Sequence, residues 1–166
     1  AAAAIISKDK TDIEIAGSAL STSKLSSFER ENITSWNSTI NAAKTAYEQA
    51  GITAKNIDIA EVHDAFTPVE LISYEDLGFC CKGEGARLIR EGTVNINGAF
   101  PTNTSGGLKA KGHPISATGV SQIYELVLQL RNQAGKRQVD NIEYALAHNI
   151  GGAGCVTTVH ILRKSQ

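Results

Sequence analysis

Short apolar runs of strand character alternate along this chain with stretches of helical period, and that alternation restricts it to a layered α/β architecture. Ile13 to Leu20 mixes β-branched and small residues with partial period-two spacing and reads as a strand. From Ser35 to Ala50, the residues Trp36, Ile40, Ala43 and Tyr47 recur at helical steps, and Gly51 stands where a helix C-cap belongs. Ile57, Ile59, Ala60 and Val62 form a second strand that ends at His63 and Asp64. Thr67-Pro68-Val69-Glu70 has the pattern of a capping box with proline in the first turn, so a helix is expected from there to about Leu77.

Gly83 to Arg90 suggests a further short helix. Gly92 to Gly112 is rich in Gly, Asn, Thr and Ser without helical period, and a loop of that length inside one domain usually serves function. Ser116 to Leu130 sets Val120, Ile123, Val127 and Leu130 on one face of a helix expected to end near Gly135. Ile142 to Ala147 and Cys155 to Leu162 read as two last strands, paired antiparallel across Gly151-Gly152-Ala153-Gly154. The expected fold is α/β: one domain over residues 1–166, a layered mixed sheet with helices on both faces.

Composition bounds what such a domain does. Sixteen basic against seventeen acidic residues, spread without long runs, give no electrostatic reason to expect nucleic acid or a membrane surface as partner. No stretch approaches the roughly 20 apolar residues of a membrane span, so a soluble protein is expected. No charged n-region followed by an apolar h-region opens the chain, which favours an intracellular, cytoplasmic location. Cys80, Cys81 and Cys155 make neither an even disulfide framework nor a spaced metal motif, so reduced thiols and no metal site are expected. The Asn-x-Ser/Thr matches at Asn32, Asn37 and Asn103 are discounted on the same ground.

Three loops combine an imidazole or amide with tight backbone: His63-Asp64-Ala65-Phe66, Asn103 to Pro114, and His148-Asn149-Ile150-Gly151-Gly152. All follow elements whose ends can share one side of the sheet, where open α/β folds place ligands. His113, held between Gly112 and Pro114, suits proton transfer or polarising a carbonyl, although a lone Gly-His-Pro more often marks a helix-capping or core histidine. The glycine turn after Asn149 offers backbone N–H groups to an oxyanion, or is a tight hairpin. His63 and Asp64 can serve a ligand or cap the helix that follows. Gly106-Gly107 with Lys109 and Lys111 lacks the spacing of a phosphate loop.

In order and spacing the three loops resemble the fingerprints of the thiolase superfamily: a His-Asp-Cys-Phe or Asn-Glu-Ala-Phe turn, an Asn-x-x-Gly-Gly…Gly-His-Pro loop and a terminal glycine turn. The likeness extends over Ile13 to Arg163, including Tyr74 to Cys80 and Leu130 to Val139, and is closest to the sterol carrier protein thiolases and archaeal acetoacetyl-CoA thiolases. It implies the C-terminal half of an acyl-CoA acyltransferase whose nucleophilic cysteine lies in an N-terminal half. His113 would then activate that cysteine and bind the thioester oxygen. His63 would hold a water in the first oxyanion hole and Gly151 would be the backbone donor of the second. Phe66, Gly107 and Asn149 would contact substrate. The resemblance implies no cofactor beyond the coenzyme A thioester as substrate, and as partners an N-terminal thiolase half or sister subunit in a homo- or hetero-oligomer. One departure stands out: the shuttle cysteine of sterol carrier protein thiolases is replaced by Ala65, and that of the biosynthetic and degradative enzymes by Asn149. The alternative is a non-catalytic thiolase-like subunit that binds coenzyme A or mediates assembly. A carbon–carbon lyase is disfavoured by the retained Gly-His-Pro.

Overall fold

The structure is a computed structural model and describes residues 1–165. Four strands, β1 (Ile13–Thr22), β2 (Ile59–Glu61), β3 (Tyr144–Gly151) and β4 (Val156–Lys164), form one mixed sheet in the order β1-β4-β3-β2. β4 pairs antiparallel with both β1 and β3, while β2 runs parallel to β3 and is flanked by a single bridge from Ala60 to Thr102. The helices are α1 (Asn37–Ala50), α2 (Thr67–Asp76), α3 (Gly85–Arg90), α4 (Gly107–Lys111) and α5 (Thr118–Leu130).

Period-two alternation sorts the sheet residues onto two faces. Leu146, Val159 and Ile161 pack with Ala42, Ala43 and Ala46 of α1 and with Tyr74 and Leu77. Ala145, Ala147, Leu162 and Ile59 pack instead with Leu126 and Leu130 of α5. Helices therefore cover both faces, as the alternating pattern requires.

Several local expectations change. The buried face of α1 is Ser38, Thr39, Ala42, Ala43 and Ala46, whereas Ile40 is 38% exposed. Small residues are selected there because the helix lies close on the sheet: a Cβ on Gly17 of β1 would overlap the Ala46 carbonyl. The capping box at Thr67 does not form. Phe66 is the N-cap, Pro68 lies in the first turn, and Glu70 turns away to accept the Tyr74 hydroxyl at 2.5 Å. The long loop contains α4, and α5 stops at Leu130, where Asn132 at φ 57° takes the left-handed position expected of Gly135. The inward face of α5 is Thr118, Gln122, Glu125, Leu126, Gln129 and Leu130. Val120, Ile123 and Val127 are only partly buried. His148 and Asn149 belong to β3 rather than to a loop.

Candidate functional site

β2 ends in a run of residues each fastened by the 103–108 loop. Asn103 accepts the Val62 amide on Oδ1 at 2.8 Å and donates its own amide to the Ala60 carbonyl. Buried Glu61 accepts the Ser105 amide at 3.0 Å and hydroxyl at 2.5 Å, and burial raises its pKa above the ordinary carboxylate range. Asp64 accepts the Leu108 amide at 2.8 Å, and its carboxylate lies against Gly107 where any Cβ would collide with it. Gly107 therefore lets the loop backbone approach Asp64. This clamp fixes the chain on either side of His63.

The cavity beside it has a volume of about 1890 Å³ and is lined by His63, Phe66, His113, Asn149 and Gly151 among others. Gly107 is buried against Asp64 and does not reach it. His63 is 5% exposed and meets His113 edge to face, with ring centroids 5.0 Å apart. Burial, reinforced by the neighbouring His113, draws the His63 pKa down to about 4, so it is a neutral imidazole at pH 7.

His113 precedes α5 and hydrogen-bonds through Nδ1 to the Thr118 hydroxyl at 2.7 Å. That hydroxyl also reaches the Pro114 carbonyl at 3.3 Å. A carbonyl only accepts, so both contacts hold at once when Thr118 donates to Pro114 and accepts from Nδ1–H. The lone pair of His113 is then on Nε2, the arrangement of a general base.

Beneath the cavity, His148 is fully buried and neutral, its pKa drawn down to about 3 by burial and then by His63. Its surroundings form a one-way chain of hydrogen bonds. Ser38 donates to the Gly154 carbonyl at 2.7 Å, leaving Thr157 to donate to Ser38 and Thr39 to donate to Thr157. His148 Nε2–H therefore donates to Thr39 at 3.3 Å, and its Nδ1 faces the His63 amide at 3.5 Å. The chain ties α1 and both hairpin strands to the glycine turn. In that turn Gly152, Ala153 and Gly154 are all left-handed, and Arg30 donates to the Ala153 carbonyl at 2.6 Å.

The residues that hydrogen-bond to His113 and to Asn149, Thr118 and Gln122, were not singled out by sequence. Their signal is a polar stripe of helical spacing, Thr118, Gln122, Glu125 and Gln129, on a helix whose other flank is apolar. No cysteine is among the described residues that line the cavity; Cys155 lies just past it.

A mixed sheet covered on both faces carries paired imidazoles, a carboxamide and a glycine turn on one open cavity, and so defines an α/β domain with a polar site at the sheet's end. A family model described as thiolase C-terminal domain-like matches residues 17–164, and the chain belongs to that family. The acetyl-CoA acetyltransferase of Methanothermobacter thermautotrophicus is 45% identical over 154 residues, covering 93% of this chain and 40% of that protein. Sterol carrier protein 2 of Homo sapiens is 44% identical over 147 residues, covering 87% and 27% respectively. Among solved structures, an Ltp2-ChsH2(DUF35) aldolase superposes with a TM-score of 0.81 at 28% identity, covering 92% of this chain and 39% of that one. The chain thus spans less than half the length of each of these relatives.

Proposed function

We propose that this domain is the C-terminal part of a thiolase-type acyltransferase that moves acyl groups between coenzyme A thioesters, forming or cleaving a 3-ketoacyl-CoA such as acetoacetyl-CoA. The observation that carries the reading is the placing of His113, with Nε2 as acceptor, beside neutral His63 and Asn149 on one open cavity. An N-terminal half would bring the nucleophilic cysteine. His113 takes the proton of that thiol, and the thiolate attacks the thioester carbon. The carbon–sulfur bond to coenzyme A then breaks, and the departing sulfur recovers the proton from His113 as the acyl-enzyme forms. Neutral His63 would hold a water in the first oxyanion hole, and the Gly151 backbone would be the donor of the second. With Ala65 and Asn149 where the family has shuttle cysteines, the proton transfer of the later step, in which the carbon–carbon bond of the 3-ketoacyl-CoA forms or breaks, falls to other groups.

The cavity walls support a partner half. Phe66 and Ile115 line it yet are 72% and 83% exposed, and Ile123 and Val127 on the flank of α5 also border it. Apolar surface so placed is what a packing partner covers. Coenzyme A binding without turnover, in an assembly subunit, is the second reading; Ala65 and Asn149 in the places of both shuttle cysteines favour it.

The test joins the chain to a matching N-terminal half and assays thiolysis of acetoacetyl-CoA. The His113→Ala variant should lose about 10²- to 10⁴-fold in kcat/KM. Full activity in that variant refutes the role of His113, and binding of coenzyme A without turnover in the wild type favours the second reading.

A further inference from the structure

We propose that Gln122 is a positioning residue of this site: by the direction of its hydrogen bonds it holds His63, through Asn149, as an imidazole protonated on Nε2. The main-chain carbonyls of Glu61 and His148 can only accept, and both face one end of the buried Gln122 side chain, at 3.3 and 3.0 Å. That end must be the NH₂ group. Its other end is therefore the carbonyl oxygen, and it faces the Asn149 side chain at 3.2 Å. Asn149 must meet an acceptor with its own NH₂, whose second hydrogen points at Nδ1 of His63 at 3.3 Å. Nδ1 is thereby the acceptor, and in a neutral imidazole the proton resides on Nε2.

Each step removes an ambiguity that the side chains alone would leave open. A reversed Gln122 would set its oxygen against two carbonyls; a reversed Asn149 would set two amide oxygens face to face. Both cost the full penalty of unpaired buried polar groups. No buried side-chain nitrogen or oxygen among the described residues lacks a partner, so Nε2 of His63, which has no hydrogen-bond partner among those residues, opens on the cavity that His63 lines. The result is a fixed N–H donor at the cavity wall, set from the middle of α5 by a residue that need not touch the substrate. Gln122 also spans the ends of the parallel pair β2 and β3, so the same amide holds the two strands in the register that brings His63 to Asn149.

The kinetic consequence rests on the acyl-transfer reading above, whereas the tautomer does not, and the test separates them. The complete protein, labelled with ¹⁵N in its histidines, is studied by long-range ¹H–¹⁵N correlation at pH 7.5, with circular dichroism as a check on folding. Wild-type His63 should show Nε2 protonated and Nδ1 as the lone-pair nitrogen. In Gln122→Met the Asn149 amide loses its acceptor and is free to turn, and the two His63 nitrogens should shift toward averaged positions. Asn149→Asp offers His63 only an acceptor and should move the proton to Nδ1; it decides the matter if Gln122→Met does not fold. A wild-type His63 protonated on Nδ1, or a His63 pattern unchanged in the folded variants, overturns the proposal. If the complete enzyme transfers acyl groups, Gln122→Met should also lose about 10²-fold in kcat with KM little changed, the scale of losing one preorganised donor. The expected nitrogen pattern in a protein without His113-dependent turnover leaves the tautomer standing and refutes the acyl-transfer reading alone.

Discussion

Thr118 serves His113 with a single hydroxyl, accepting from Nδ1–H while donating to the Pro114 carbonyl. Removing it by Thr118→Val keeps the side-chain volume but leaves Nδ1 without its partner, so the imidazole is free to change tautomer and rotate. One hydrogen bond of this kind is worth about 1 to 1.5 kcal/mol, which corresponds to roughly a tenfold fall in kcat. Steady-state kinetics of the complete enzyme should show that fall with little change in KM, and Thr118→Ser should restore the rate. Equal losses in Val and Ser variants would mean that the methyl group, not the hydroxyl, is what matters. His113 was legible from its flanking Gly112 and Pro114, because backbone restriction is written locally. Thr118 was not, because a threonine in the first turn of a helix ordinarily signals nothing beyond local capping.

At the scale of elements, the glycine turn between β3 and β4 shows how a local motif depends on a distant one. Gly154 has φ 91°, and a Cβ there would overlap the Trp36 indole, which is itself buried beside the N-terminus of α1. Asp76 fixes that indole's residue by accepting the Trp36 amide at 2.6 Å. Gly154→Ala should therefore combine backbone strain with overpacking and cost about 2 to 4 kcal/mol. Gly135→Ala is the control: it has φ 60° but open space around the new Cβ, so about 1 kcal/mol is expected from strain alone. Urea unfolding of the two variants measures the difference, and equal losses would show that Trp36 gives way. Strand and helix positions in this fold were legible because they follow period and glycine punctuation: β1, α2, β4 and the Gly51 cap all fall within a few residues of where the sequence places them. The orientation of α5 was not. Apolar periodicity selects Val120, Ile123 and Val127, yet the helix turns Gln122, Glu125 and Gln129 inward because the sheet ends offer them carbonyls and Thr104. His148 and Asn149 were read as loop for the same reason: polar residues in a buried strand are rare unless a network satisfies them.

Across the whole molecule, that buried network makes stability depend on pH in a calculable direction. His148 is neutral in the fold, with a pKa drawn from 6.5 down to about 3, and its neighbours leave no room for a second proton: Nε2–H already donates to Thr39, and Nδ1 faces the His63 amide. Between pH 6.5 and 3 the unfolded chain binds a proton at this residue that the folded chain does not. Its contribution is therefore fully present above pH 6.5 and is lost as acid is added, approaching about 1.4 kcal/mol per pH unit. At pH 5 the loss from His148 alone reaches about 2 kcal/mol. His63, drawn down to about 4, adds to the loss over the same range. Glu61 works against it: burial raises its pKa above 4.5, so the fold is favoured by protonating it and its contribution weakens as pH rises through the raised value. The net curve mixes these signs, but a variant comparison isolates one of them. His148→Gln keeps a donor for Thr39 and removes the titrating ring, so its unfolding free energy should decline less steeply from pH 7 to 5, by about one proton's worth of slope. Urea titrations of both proteins at half-unit steps measure that difference, and parallel curves would show that the buried ring takes up its proton without opening the network.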